Sequence, residues 1–204
     1  MAVNKIGGVS TVGGGIYEEL VVHGVVTVNG DLEAQSMDVD GVVTVDGKLE
    51  SKSFIKINGV VTVNGNLRAQ FVDVDGVVNI ASNVEADHVR IGGVVSSKAQ
   101  ISADLVEGNG VISAEEIVGE KVILHCEHKR RHLFSLGRKD RDKPRVGTIE
   151  ATEIAVDGIR VEHLNGHNIV IGPQCVVENV DCSGSLSIAP EAQVKNINGS
   201  ARMN

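Results

Sequence analysis

The chain is nearly devoid of aromatic residues, with no Trp, one Tyr and three Phe among 204 residues. That scarcity argues against a platform for single-stranded nucleic acid, which needs rings on which successive bases stack. Only three prolines occur, which excludes collagen and Pro-rich linkers. No apolar run approaches the ~18 residues that a transmembrane helix requires. Residues Met1 to Gly8 lack the charged-then-apolar layout of a secretory leader. The cysteines (Cys126, Cys175 and Cys182) are odd in number. In a chain without an export signal they read as thiols of a cytoplasmic protein, not as a disulfide framework. The string G-x-x-x-x-G-K-[ST] is missing, so a nucleotide has no phosphate cradle.

Small branched residues fill the space that aromatics leave. Val (35) and Ile (17) together make 52 stiff β-formers in a chain that is 42% hydrophobic. The net charge of −8 is uneven: Lys129 to Arg145 carries eight basic residues and two Asp. That segment is net +6, which leaves −14 on the rest.

Gly24, Gly41, Gly59, Gly76, Gly93 and Gly110 recur at spacings of 17, 18, 17, 17 and 17 residues. Counted from these glycines, apolar residues recur in pairs separated by two. One pair runs Val26/Val28, Val43/Val45, Val61/Val63 and Val78/Ile80. The next runs Leu32/Ala34, Leu49/Ser51, Leu67/Ala69, Val84/Ala86 and Ile101/Ala103, with Val118 expected to extend its first column. The third includes Met37/Val39, Val72/Val74 and Val89/Ile91, with Ile57 in the longer unit. A period of two is a strand with one buried face. Three short strands per unit predict a three-sided parallel β-helix with about 17 residues per rung. An antiparallel meander competes, because Asn-Gly is a hairpin signal. It gives no reason for like residues at a fixed interval, whereas stacked parallel rungs ~4.8 Å apart do. Successive inward pairs start 6, 5 and 6 residues apart, which breaks the strict hexad of left-handed acyltransferase helices. The default crossover hand then predicts a right-handed coil. Glycines at the corners, as in Asn29-Gly30, Asp46-Gly47 and Asn64-Gly65, are expected to supply positive φ.

The expected layout is a Gly-rich lead-in over 1–15, rungs over 16–124, a basic insert over 125–146, rungs over 147–197 and a polar tail over 198–204. The early unit before Gly24 is expected to point Val12, Ile16, Leu20 and Val22 inward. After the insert, Ile169 and Ile171 recur as Leu186 and Ile188, and Val177 and Val180 as Val194 and Ile197.

The insert reads H-C-E-H-K-R-R-H-L-F-S-L-G-R-K-D-R-D-K-P-R. A solvated loop is one reading. A docking patch for an anionic membrane surface or acidic protein is another, using Lys129, Arg130, Arg131, Phe134, Arg138 and Lys139. A metal site from His125, Cys126, His128 and His132 has the right ligand types for zinc, but their spacing matches no closed four-ligand pattern. The expectation is no metal and no cofactor. Corner Asp and Asn residues lack the G-G-x-G-x-D calcium pattern and read as stacked turns. No G-x-S-x-G occurs, and no Cys stands beside a His and an acid in a convincing catalytic arrangement. His163 and His167 flank Gly166, as an acyltransferase histidine could.

Neither end carries an amphipathic cap, so each terminal rung leaves unpaired backbone groups and an apolar cross-section. End-to-end stacking through Val12, Ile16, Leu20, Val22, Leu186, Ile188, Val194 and Ile197 would satisfy both. The chain resembles the bactofilins, bacterial polymer-forming cytoskeletal proteins. The resemblance is carried by the V-x-V-x-G-x-L-x-A units from Val26 to Ala69, by I-V-I-G-P-Q-C-V-V-E-N-V from Ile169 and by L-S-I-A-P-E-A-Q-V-K-N-I from Leu186. It implies a right-handed β-helix that polymerises without nucleotide into nonpolar filaments, alone or with a paralogue, and scaffolds cell shape, wall synthesis or motility. It implies no enzymatic activity. A hexapeptide-type acyltransferase and a monomeric binding rod that uses its basic loop are the alternatives. The chain departs from the family in its short tails, in lacking an evident membrane-binding peptide and in having no Phe after Phe134.

Overall fold

The computed structural model describes residues 3–126, 144–200, 202 and 203. The protein is 77% strand, with no helix among the described residues. It winds as a parallel β-solenoid of about 11 turns spaced about 17 residues apart. At ~4.8 Å per turn the rod is about 50 Å long.

One turn shows how the sequence dictates the coil. Strands Val42–Val45, Leu49–Ser51 and Phe54–Ile57 form three sides. They lie on Val60–Val63, Leu67–Arg68 and Phe71–Val74 in parallel, in-register pairing. The pairings that a meander would make antiparallel are parallel from Val3 to Met203. Inward side chains stack in columns, for example Val26, Val43, Val61, Val78, Val95 and Ile112. Nearly all of these inward positions are sealed from solvent and form one continuous apolar core. Where polar residues enter the columns they turn back onto the chain. Ser97 Oγ donates to Ser82 O at 2.9 Å, and Ser51 Oγ lies 3.1 Å from Gln35 O and 3.0 Å from Phe54 O. Outside, corner side chains stack as well: Asn58 donates to Asp40 at 2.8 Å and Asn64 to Asp46 at 3.3 Å.

Four expectations change. Ile16 faces solvent, at 78% exposed. The pairing slips between Gly13 and Gly15, so Tyr17 rather than Ile16 stands level with Ala34. Ile117, not Val118, is the buried residue level with Ile101, because that turn spans 16 residues. The ends are longer than the layout: Val3–Ile6 pairs with Glu19–Val22, a full turn begins at Val9, and Arg202 and Met203 pair with Ser185 and Leu186. Most of the corner glycines, finally, are not there for their torsions.

Among the turns Asn29-Gly30, Asp46-Gly47 and Asn64-Gly65, only Gly30 has a positive φ, at 107°. The ladder Gly41, Gly59, Gly76, Gly93 and Gly110 is set by close approach instead. A Cβ on Gly59 would lie 1.9 Å from Gly41 O, and one on Gly93 would lie 2.0 Å from Gly76 O. Each corner sits on the carbonyl of the corner before it. Gly59→Ala should therefore lower the unfolding free energy by about 1–3 kcal/mol, the usual cost of overpacking. Gly13→Ala, where an added Cβ meets nothing within 4 Å, should leave the denaturant midpoint nearly unchanged.

Candidate functional site: two open ends and an interrupted corner

A solenoid turn in mid-rod is covered above and below; an end turn is covered on one side only. The consequence is visible in the inward columns. The half-buried apolar residues packed against the core are Ile6, Val12, Tyr17, Ala86, Ile188, Ala192 and Val194, and all but Ala86 belong to the ends. At the N-terminal end the chain from Val9 to Tyr17 pairs only with the next turn, Val25 to Ala34. Among the described residues nothing pairs with its opposite edge, whose backbone donors and acceptors are left open. At the C-terminal end, among the described residues, Gln193–Gly199 pairs only with the turn beneath it.

The expected interface residues divide accordingly. Val12, Ile188 and Val194 lie at the open ends, half-buried, and Ile197 is 46% exposed on the last turn. Leu20 and Val22 are sealed, because Asn4 and Ile6 sit over them. Leu186 is sealed and level with Met203. Ile16 reaches solvent from the outer wall, not from the core. Tyr17, Ile6 and Ala192 belong with the end residues, and the sequence pattern missed them. The string Val-Asn-Lys-Ile does not alternate, so no period marks Ile6, and the slip that brings Tyr17 inward leaves no periodic trace either. Val12 and Val194 occupy one inward column at opposite ends of the rod, since Val12 is level with Val28 and Val45, and Val146 with Val161, Val177 and Val194. The last turn is tied down by Lys195 Nζ, 2.9 Å from Glu178 Oε1, and this hydrogen bond holds the Glu178 carboxyl below its ordinary value.

The basic segment is joined to the rod at one corner. His125 is level with Asp157 and Arg145 with Arg160. The two-residue corner Gly158-Ile159 thus corresponds, one turn earlier, to Cys126 and Pro144 with residues 127–143 between them. Both stems are fixed in the wall: Cys126 N donates to Asp157 O, and Arg160 N donates to Pro144 O. Lys129, Arg130, Arg131, Phe134, Arg138, Lys139, His128 and His132 lie outside the described residues. His125 and Cys126 diverge. His125 is exposed and its Nδ1 meets Asp157 Oδ2, whereas Cys126 is 5% exposed. Among the described residues no group of three or more His, Cys, Asp or Glu side chains could hold a metal ion. His163 and His167 are both exposed, and His167 Nδ1 lies 3.0 Å from Ser183 Oγ.

Cys126, Cys175 and Cys182 are buried thiols, with no disulfide among the described residues. Burial pushes the Cys126 thiol up to about 11, and repulsion from Cys175 and Asp157 adds to the rise. A group whose folded value is raised loses its stabilising contribution as pH climbs. For Cys126 the loss should run from about pH 9, where the unfolded thiol ionises, to about pH 11. Titration of the native protein with a thiol reagent at pH 7.5 should find no fast-reacting cysteine, and all three should react in denaturant. Fast native labelling of Cys126 would contradict the burial described.

No helix of the described chain is long and apolar enough to cross a membrane. Comparison of the chain with protein-family models, with curated proteins and with solved structures gave no match.

Proposed function

We propose that the protein is a non-enzymatic scaffold of the bactofilin type, whose rods join end to end into filaments without nucleotide. The observation that carries this reading is the apolar cross-section left open at both tips, with Val12 and Tyr17 at one and Ile188 and Val194 at the other. Open edges of this kind are a liability in a monomer and are blunted by charge, proline or a covering element. These tips carry no covering helix among the described residues. A further copy supplies both missing terms at once: backbone partners for the free edge and apolar cover for the half-buried columns. Because turns interact only with their neighbours, each tip can be covered by a further copy without disturbing the rest of the rod. The basic segment, read from its sequence, gives such a polymer a docking element for an anionic membrane surface or an acidic protein.

Purified protein in nucleotide-free buffer should show filaments by negative-stain electron microscopy. Discrete trimers would favour an acyltransferase instead, and monomers by light scattering a solitary binding rod. Val12→Lys and Val194→Glu should each abolish filaments, since a charge in the joint must be desolvated without a partner. The far-UV circular dichroism of both variants should keep its β signature. Filaments that persist in both variants would place the joint elsewhere.

A further inference from the structure

Outward side chains also form columns, and the three walls of the rod differ sharply in what they present. On the second wall Glu33, Glu50, Arg68 and Glu85 are level with one another. Lys52, Lys48 and Arg68 accompany these carboxylates, with Lys52 3.4 Å from Glu33 and Arg68 3.7 Å from Glu85. On the third wall Asp38, Lys56, Asp73, Arg90 and Glu107 alternate in sign, with Arg90 2.7 Å from Asp73. Both are solvated surfaces.

Over seven successive turns the two central outward columns of the first wall carry no charge, with Asp46, Lys98 and Glu115 standing just beyond them. One outward column runs Val9, Val25, Val42, Val60, Val77, Val94 and Val111. The adjacent column runs Thr11, Thr27, Thr44, Thr62, Asn79, Ser96 and Ser113. Five of these valines, from Val25 to Val111, are 37% to 48% exposed. Beyond the interrupted corner the neutrality ends, and Arg145 and Arg160 stand on the outer wall.

We propose that this valine and hydroxyl wall binds the same wall of a second copy of the chain, side by side. Three observations choose that occupant. The chain carries a net −8, so two copies repel each other through their bodies, and this wall is where a neutral approach is open. Its ridges repeat at the rung spacing of ~4.8 Å, which only a surface of the same period matches along its whole length. A dry contact between two such ladders is the arrangement in which β-branched side chains interdigitate best. An antiparallel, two-fold contact closes on itself and sets the middle of the ladder, near Val60 and Thr62, beside its own copy. Rung and residue spacings give a wall of about 30 by 13 Å, or roughly 400 Å² per copy. That is half of the ~800 Å² per partner of a standard interface. Single rods therefore pair weakly, while rods joined end to end repeat the contact and pair firmly. To that extent the inference rests on the proposed polymer.

The test uses the full chain, whose own cysteines are buried. Thr62→Cys should give a disulfide-linked dimer under mild copper-phenanthroline oxidation, several-fold more than Lys56→Cys on the third wall. Val60→Lys should convert paired or bundled filaments into single ones while filament formation persists. Equal cross-linking at the two cysteines, pairing retained in Val60→Lys, or wild-type filaments that run singly would each overturn the side-by-side contact. If the wild type forms no filaments, the end-to-end reading fails, and the cross-linking ratio still decides the side-by-side one.

Discussion

Every feature of this rod depends on the requirement that each turn lie flat on the one before, backbone amide over backbone carbonyl. At that separation an inward side chain has no freedom to be different from the residue below it unless the difference fits the same column. Val, Ile and Leu repeat because they fill a column without polar atoms and with few rotamers to lose. The corner glycines repeat because the carbonyl beneath leaves no room for a Cβ. Stability then accumulates turn by turn, and no single long-range contact holds the molecule together.

That requirement explains which parts of the structure were legible in the sequence. The columns from Val26 to Ile112 could be read by counting, since period two within a strand and period 17 between strands leave few alternatives. Counting failed where the chain changes phase without changing composition. Gly13 to Gly15 offer no side chain to reveal the slip that turns Ile16 out and Tyr17 in. The 16-residue turn that makes Ile117 the buried residue is hidden by Val118, an equally apolar neighbour. The glycines were correctly placed at corners, but apart from Gly30 for the wrong reason, because a sequence shows that a side chain is missing and not what occupies its place.

The candidate site was legible in kind and less so in detail. A solenoid without a cap must end in an edge, and that much follows from the pattern. Which residues form the edge depends on the partial turns at each tip. Val3–Ile6 covers Leu20 and Val22, and the pairing of Met203 with Leu186 moves the C-terminal edge outward. Such fragments are too short to show periodicity. The outward valine column was equally visible as text, since Val precedes each inward Val. Its meaning needed the other two walls for comparison, because a valine in a strand is unremarkable until its neighbours in register turn out to be uncharged as well.

The interrupted corner also bears on spacing. Cys126 and Pro144 hold their places in the wall as Gly158 and Ile159 do one turn later, so a segment of any length can be spliced between them at no cost to the stacking on either side. Its attachment height on the rod is thereby fixed. In a string of rods laid tip to tip, that point would occur once per subunit, a mean interval of about 50 Å at ~4.8 Å per turn. In the proposed polymer every subunit would then offer its basic segment at the same height on its own rod, whichever way successive subunits face.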